Sequence, residues 1–261
     1  MTSCRTAIVV LGLFLLSNAV CASVCLGSIT YSGSLQYTPP SPPGTSDGLY
    51  VSGPSGQWDA YTVTFSWTVT NADTTYPAYP WKYEYRMLLS GTAHGYSHLI
   101  IETSDDLTAD DIYGLTGASL DTVGLQTVQS GNSDMPEDIY GVRFNPLVSG
   151  ITDLAWSFYS NREPVWGDFY AKDGGHQGVM NIAYNYNMDA SGVARGFLDP
   201  DGIDTNRDDA DPTADPSDGS IDFHILRPDT EVTPPIPAPG ALLLGAIGAG
   251  IVAWARQRRL P

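Results

Sequence analysis

From residue 61 to 70 the chain reads Tyr-Thr-Val-Thr-Phe-Ser-Trp-Thr-Val-Thr. A large apolar or aromatic side chain stands at every second position, with a hydroxyl residue between each pair. Only a strand sends alternate residues to opposite faces, so this run calls for a sheet with one face buried and one in water. Residues 81–89 repeat the pattern, setting Trp81, Tyr83, Tyr85 and Met87 against Lys82, Glu84 and Arg86. Residues 28–37 give a weaker version through Ile29, Tyr31 and Leu35. Further strand signals fall at 96–103, 119–128, 138–144, 151–159, 165–171, 179–187 and 220–227, with Gly, Asn, Asp and Pro in the loops between them. This series of short strands predicts an all-β fold, an antiparallel β-sandwich of jelly-roll-like type. Residues 105–113 alone suggest a helical turn, with Thr108 as N-cap and Asp111 three positions on. The Pro-rich piece at 38–44 reads as a loop or an edge cover, because proline cannot donate to a ladder.

Charge narrows the function classes. Of 261 residues, 12 are Lys or Arg and 29 are Asp or Glu, a net of −17. Such a chain repels phosphate, which excludes nucleic acid as a partner. Hydrophobic residues make up 42% of the chain, enough to build a core. The three cysteines stand at 4, 21 and 25, so loss of an N-terminal leader would leave Cys25 alone, unable to close an internal loop.

Both ends read as addresses. Arg5 is followed by the apolar run 7–16 and a small, polar stretch 17–22. Val20 and Ala22 suit the −3 and −1 sites, so cleavage is expected after Ala22 and residues 1–22 are read as a signal helix. The body is then 23–232. Residues 233–261 form a Pro-rich lead, an uncharged apolar run at 241–255 with three glycines, and a terminal cluster of Arg256, Arg258 and Arg259. At about 1.5 Å per residue that run covers about 22 Å, a short transmembrane helix. The arginines would stay on the cytoplasmic side.

This tail resembles the PEP-CTERM sorting signal of exported proteins in Gram-negative bacteria. The resemblance rests on Pro237, Ala238, Pro239 and Gly240, the Gly-rich apolar helix, and the Arg cluster. Between the prolines the family usually has Glu, where this chain has Ala238. What the resemblance implies is export, transient anchoring in the inner membrane and processing by an exosortase-type enzyme. Delivery to the cell surface or to the exopolysaccharide matrix follows. Within the body, residues 97–102, 166–174 and 224–229 together resemble an uncharacterised β domain carried by such proteins, to which no activity attaches.

Three groups of residues suggest chemistry. In the Asp-rich stretch 199–222, Asp199, Asp201, Asp204, Asn206 and Asp208 are spaced closely enough to offer oxygens to calcium; the alternative is a solvated acidic loop. The loop-like run 74–81 presents Tyr76, Tyr79 and Trp81 as rings for stacking against a sugar; the alternative is core. Glu84, Glu102, Glu163 and Asp168 are the carboxylates from which a glycosidase pair would be drawn, although Glu84 between Lys82 and Arg86 fits a charge ladder better. The four histidines lack ligand spacing, and His98 in an apolar run reads as a core residue. No nucleophile motif or phosphate loop is present. The expectation is therefore a non-enzymatic surface or matrix protein that binds polysaccharide or calcium. The alternative is a secreted polysaccharide hydrolase on the same scaffold.

Overall fold

The alternating run at 61–70 lies at the centre of a sheet. In a computed structural model, which describes residues 28–39, 48–53, 57–91, 94–174, 180–188, 194–197 and 224–228, fourteen strands follow in order. They are β1 (Thr30–Tyr37), β2 (Leu49–Ser52), β3 (Val63–Thr70), β4 (Trp81–Leu89), β5 (Tyr96–Glu102), β6 (Tyr113–Thr116) and β7 (Ala118–Gln126). Then come β8 (Ile139–Pro146), β9 (Asp153–Ser160), β10 (Pro164–Gly167), β11 (Phe169–Asp173), β12 (Ile182–Met188), β13 (Ala194–Gly196) and β14 (Ile225–Pro228). All of the described residues belong to one compact unit, Ser28–Val232. The expected signal helix (1–22) and transmembrane tail (233–261) lie outside the described residues, among which no helix is long and apolar enough to cross a membrane.

The first sheet runs β1-β3-β4-β9-β6. The second runs β13-β12-β11-β5-β8-β7, with β2 also pairing β12, and β10 pairs β14 in a two-stranded ribbon. These strand pairings are antiparallel. The described residues are thus all-β and antiparallel, consistent with a β-sandwich.

The inner faces of the two large sheets meet in one core. Val63, Phe65, Trp67 and Val69 of β3 are buried with Tyr83, Tyr85 and Met87 of β4 and Trp156 and Phe158 of β9. Leu99, Ile101, Phe144 and Phe169 of the second sheet close on them. Phe65 and Phe169 stack across the gap with ring centroids 4.1 Å apart and planes 16° apart.

A second, smaller cluster covers the outer face of the second sheet. Ile100, Tyr170 and Ile182 pack there beneath Met135, Ile139 and Phe197. The 127–135 strap over this face is tied down by Lys172 Nζ donating to Gly131 O at 2.7 Å, by Tyr170 OH donating to Ser133 O at 2.5 Å, and by a 2.9 Å bond between His98 Nε2 and Asn132 Oδ1. His98 is indeed a buried core residue, and its burial, with Arg143 nearby, holds its pKa down at about 3.

The helical turn expected near Thr108 is a single 3₁₀ turn, Ala109–Asp111. Asp111 Oδ2 accepts both the backbone N–H and the hydroxyl of Thr108, at 2.9 and 3.0 Å. A carboxylate at this position satisfies donors that a turn start leaves open.

Candidate functional site

Two features stand out from an ordinary sandwich: an open corner built of tyrosines, and a charged cluster sealed inside.

The corner grows from the β3–β4 loop. Asp73 anchors that loop. Its Oδ1 accepts the backbone N–H and the hydroxyl of Thr75 at 3.0 and 2.6 Å, and its Oδ2 accepts Tyr159 OH at 2.7 Å. These bonds hold the Asp73 carboxyl well below the usual range, the Thr75 hydroxyl contributing most. Beyond the anchor, Tyr76 sits edge-on to Tyr159 and to Tyr113 of β6, with centroids 4.7 and 4.8 Å away. Tyr79 lies parallel to Tyr113 at 4.8 Å with planes 10° apart, and Tyr79 OH donates to Asp110 O at 3.2 Å. Gly114 permits the packing. Its φ is +62°, and a Cβ there would press on the rings of Tyr76 and Tyr159. Tyr113 remains 46% exposed, whereas Tyr159 is 8% exposed.

Of the three rings expected at this platform, Tyr76 and Tyr79 are half-buried members of the corner. Trp81 is a correction: it is 8% exposed and turned into the core, because it occupies the inward phase of β4. Tyr113 takes its place, and the sequence reading missed it. Its strand has four residues and shows no alternation, so nothing local marked it as exposed.

From the corner a polar face spreads over the outside of the first sheet. Registers align Thr30, Thr70, Lys82, Tyr159 and Tyr113 in one row across five strands. The next row is Ser32, Thr68, Glu84, Ser157 and Thr116. Charges on this face pair locally. Lys82 meets Glu84 at 3.0 Å and Asp73 at 3.5 Å, and Arg86 grips both oxygens of Asp153 at 2.7 and 2.8 Å. Glu84 is thus a rung of a charge ladder. Glu163 is exposed.

The sealed cluster joins Glu102 at the end of β5, Asp168 between β10 and β11, Asn185 of β12, and His224 and Arg227 around β14. Asp168 N donates to Glu102 Oε2 at 2.7 Å, and Asn185 Nδ2 donates to Asp168 Oδ1 at 2.5 Å. His224 Nε2 stands 3.4 Å from Asp168 Oδ1, and Arg227 Nε stands 3.4 Å from Glu102 Oε2. A side chain on Gly167 would overlap both Arg227 and Glu102, so this position must be glycine for the pair to close. Tyr85 OH, from the opposite sheet, donates to Leu226 O at 2.8 Å, which bonds β14 to both layers. The three stretches 97–102, 166–174 and 224–229, far apart in sequence, contribute Glu102, Asp168 and the His224–Arg227 pair to this one cluster.

Burial pushes both carboxyls up to about 7, with Arg227 pulling the other way. For an acid, a raised folded pKa means the native state holds a proton that the unfolded chain has already released. Stability from this pair is therefore full below about pH 4 and is lost as pH rises to about 7. His98 acts in the opposite sense, since the unfolded chain takes up its proton below about pH 6.5 and the native state does not until about 3. A comparison with Glu102→Gln cancels His98, which is common to both proteins, and reads the carboxyl pair. We expect the stability of Glu102→Gln relative to the parent to rise from pH 5 to pH 8 by at most about 1.4 kcal/mol per unit, read from urea midpoints. Parallel curves would contradict the assignment.

Among the described residues no group of three or more His, Cys, Asp and Glu side chains is arranged to hold a metal ion. The residues expected to offer calcium ligands, Asp199, Asp201, Asp204, Asn206 and Asp208, lie outside the described residues, as do Val20, Ala22, Pro237, Ala238, Pro239, Gly240, Arg256, Arg258 and Arg259.

Fold and site together define, among the described residues, an antiparallel all-β body with a buried ionic cluster and a tyrosine corner open to water. Compared with protein-family models, with curated proteins and with solved structures, the chain matches none.

Proposed function

We propose that this chain is a non-enzymatic surface or matrix protein of a Gram-negative bacterium, with a jelly-roll-like body that binds exopolysaccharide. In this reading residues 1–22 are a signal helix. Residues 233–261 hold the body at the inner membrane until an exosortase-type enzyme acts on the tail. The observation that carries the binding role is the tyrosine corner: Tyr113 lies 46% exposed, stacked on Tyr79 and backed by Tyr76. Aromatic rings are costly to leave in water, and a flat ring with a hydroxyl tip suits the mixed apolar and polar faces of a sugar.

The hydrolase reading has less support. It would draw on Glu102 and Asp168, whose raised pKa is a mark of some catalytic acids. Both are nearly sealed, at 5% and 7% exposure, and both are engaged by Arg227, Asn185 or backbone.

Co-sedimentation of the full chain, in nonionic detergent, with exopolysaccharide washed from the producing cells tests the proposal. Each ring contributes on the order of 1 kcal/mol. Tyr79→Ala with Tyr113→Ala should then weaken retention about tenfold or more without shifting the melting midpoint by more than a few degrees. Equal retention of parent and variant, or steady release of reducing ends from the polymer, would overturn it.

A further inference from the structure

We infer that the groove beside the tyrosine corner, on the outer face of the first sheet, is a second subsite of the same binding face and that it selects uncharged, hydroxyl-rich glycan chains. The inference rests on the polysaccharide reading above and adds the class of polymer. The groove has a volume of about 360 Å³ and is lined by Ser66, Thr68, Glu84, Arg86, Thr116 and Ser157, with Ala155 in its floor.

Three observations argue for it. The first is continuity. Tyr113 and Tyr159 pair in one register row, and Thr116 and Ser157 pair in the next. Successive same-face positions on a strand lie roughly 7 Å apart, so a chain stacked on Tyr113 reaches the groove without leaving the sheet. The second is chemistry. Ser66, Thr68, Thr116 and Ser157 present hydroxyls, which both donate and accept and so complement the hydroxyls of a sugar without imposing a charge. Thr116 Oγ1 and Ser157 Oγ already lie 3.0 Å apart, a pair that can turn one proton outward when a ligand arrives. The third is electrostatics. Each cation on this face is neutralised on the spot, Lys82 by Glu84 and Asp73, and Arg86 by both oxygens of Asp153. Among the described residues no unmatched cation remains on this face to draw a uronic acid, and a chain of net −17 repels anionic polymers at longer range. The neighbouring short side chains leave the groove open. A long residue at Ala155 or Ser157 would fill it from the solvent side, while the inward residues of β9 stay untouched.

Affinity electrophoresis of the full chain in nonionic detergent and chelator tests this. The gels contain neutral polymers (hydroxyethylcellulose, mixed-linkage glucan, dextran) or acidic ones (alginate, polygalacturonate). Ala155→Gln and Ser157→Gln are compared with the Tyr79→Ala/Tyr113→Ala double variant. The expected result is retardation of the parent by at least one neutral polymer and by neither acidic one. Ala155→Gln and Ser157→Gln, each melting like the parent, should weaken that retardation about tenfold. If both glutamine variants migrate like the parent while the tyrosine variant loses retardation, the groove is overturned and the corner stands. Retardation by alginate as strong as by any neutral polymer overturns the selection. A parent retarded by no polymer overturns both the groove and the reading on which it rests.

Discussion

Replacing Arg227 with methionine is expected to destabilise the fold by about 3–5 kcal/mol, the range for removing one partner of a buried ion pair. Arg227 of β14 is 1% exposed, with Nε 3.4 Å from Glu102 Oε2 of the second sheet. It is also the main positive influence on Asp168 and on the Tyr85 hydroxyl. Without it, two carboxyls remain near each other in a medium that solvates neither, and β14 loses its charged hold on the second sheet. The cost should grow as pH rises through and beyond about 7; removing the cation pushes the Glu102 pKa higher still, so at lower pH Glu102 takes up a proton and part of the cost is relieved. Adding Glu102→Gln to Arg227→Met should therefore restore a part of the loss, a coupling that a double-mutant cycle by urea unfolding reads directly. An Arg227→Met midpoint within about 0.5 kcal/mol of the parent would mean that the cluster contributes no hold on β14.

Phe65→Ala should cost a similar amount for a different reason. Phe65 is fully buried, and its ring meets Phe169 of the opposite sheet at 4.1 Å and Trp156 edge-on at 6.2 Å. Truncation removes the transfer free energy of the ring and leaves a void at the point where the two layers touch. Such changes destabilise by about 3–5 kcal/mol. Phe65→Leu keeps most of the volume and should cost less than about 1.5 kcal/mol. Denaturant midpoints separate the two, and an alanine variant as stable as the leucine one would show that the layers do not depend on this contact.

The strands that face the core on one side and water on the other could be read from the sequence, because period-two alternation records both environments at once. β3 and β4 are the clearest cases, and their buried residues are the large ones of the alternating runs. The short strands β2 and β6 could not, since four residues carry too little pattern to distinguish from loop. The single run expected at 165–171 divides at Asp168 into β10 and β11, which pair with different partners. An ionic side chain placed in the middle of an apolar run was the available sign of that break. Glu102 and Asp168 were recognisable as candidate carboxylates, but not their meeting with Arg227. That contact joins residues 125 positions apart, which no local spacing encodes. Trp81 belonged to two readings, as the last ring of the loop-like run 74–81 and as the first apolar position of the alternating run 81–89, and the strand phase decides it.

The central claim, that this corner meets polysaccharide outside the cell, is tested most directly by hydroxyl-radical footprinting of intact producing cells before and after their exopolysaccharide is stripped enzymatically. The account predicts that Tyr113 and Tyr79 are modified on intact cells and become several-fold more reactive once the polymer is removed, while buried Tyr83 stays unreactive in both states. Equal labelling of Tyr113 with and without the polymer, or labelling that appears only after lysis, would contradict it.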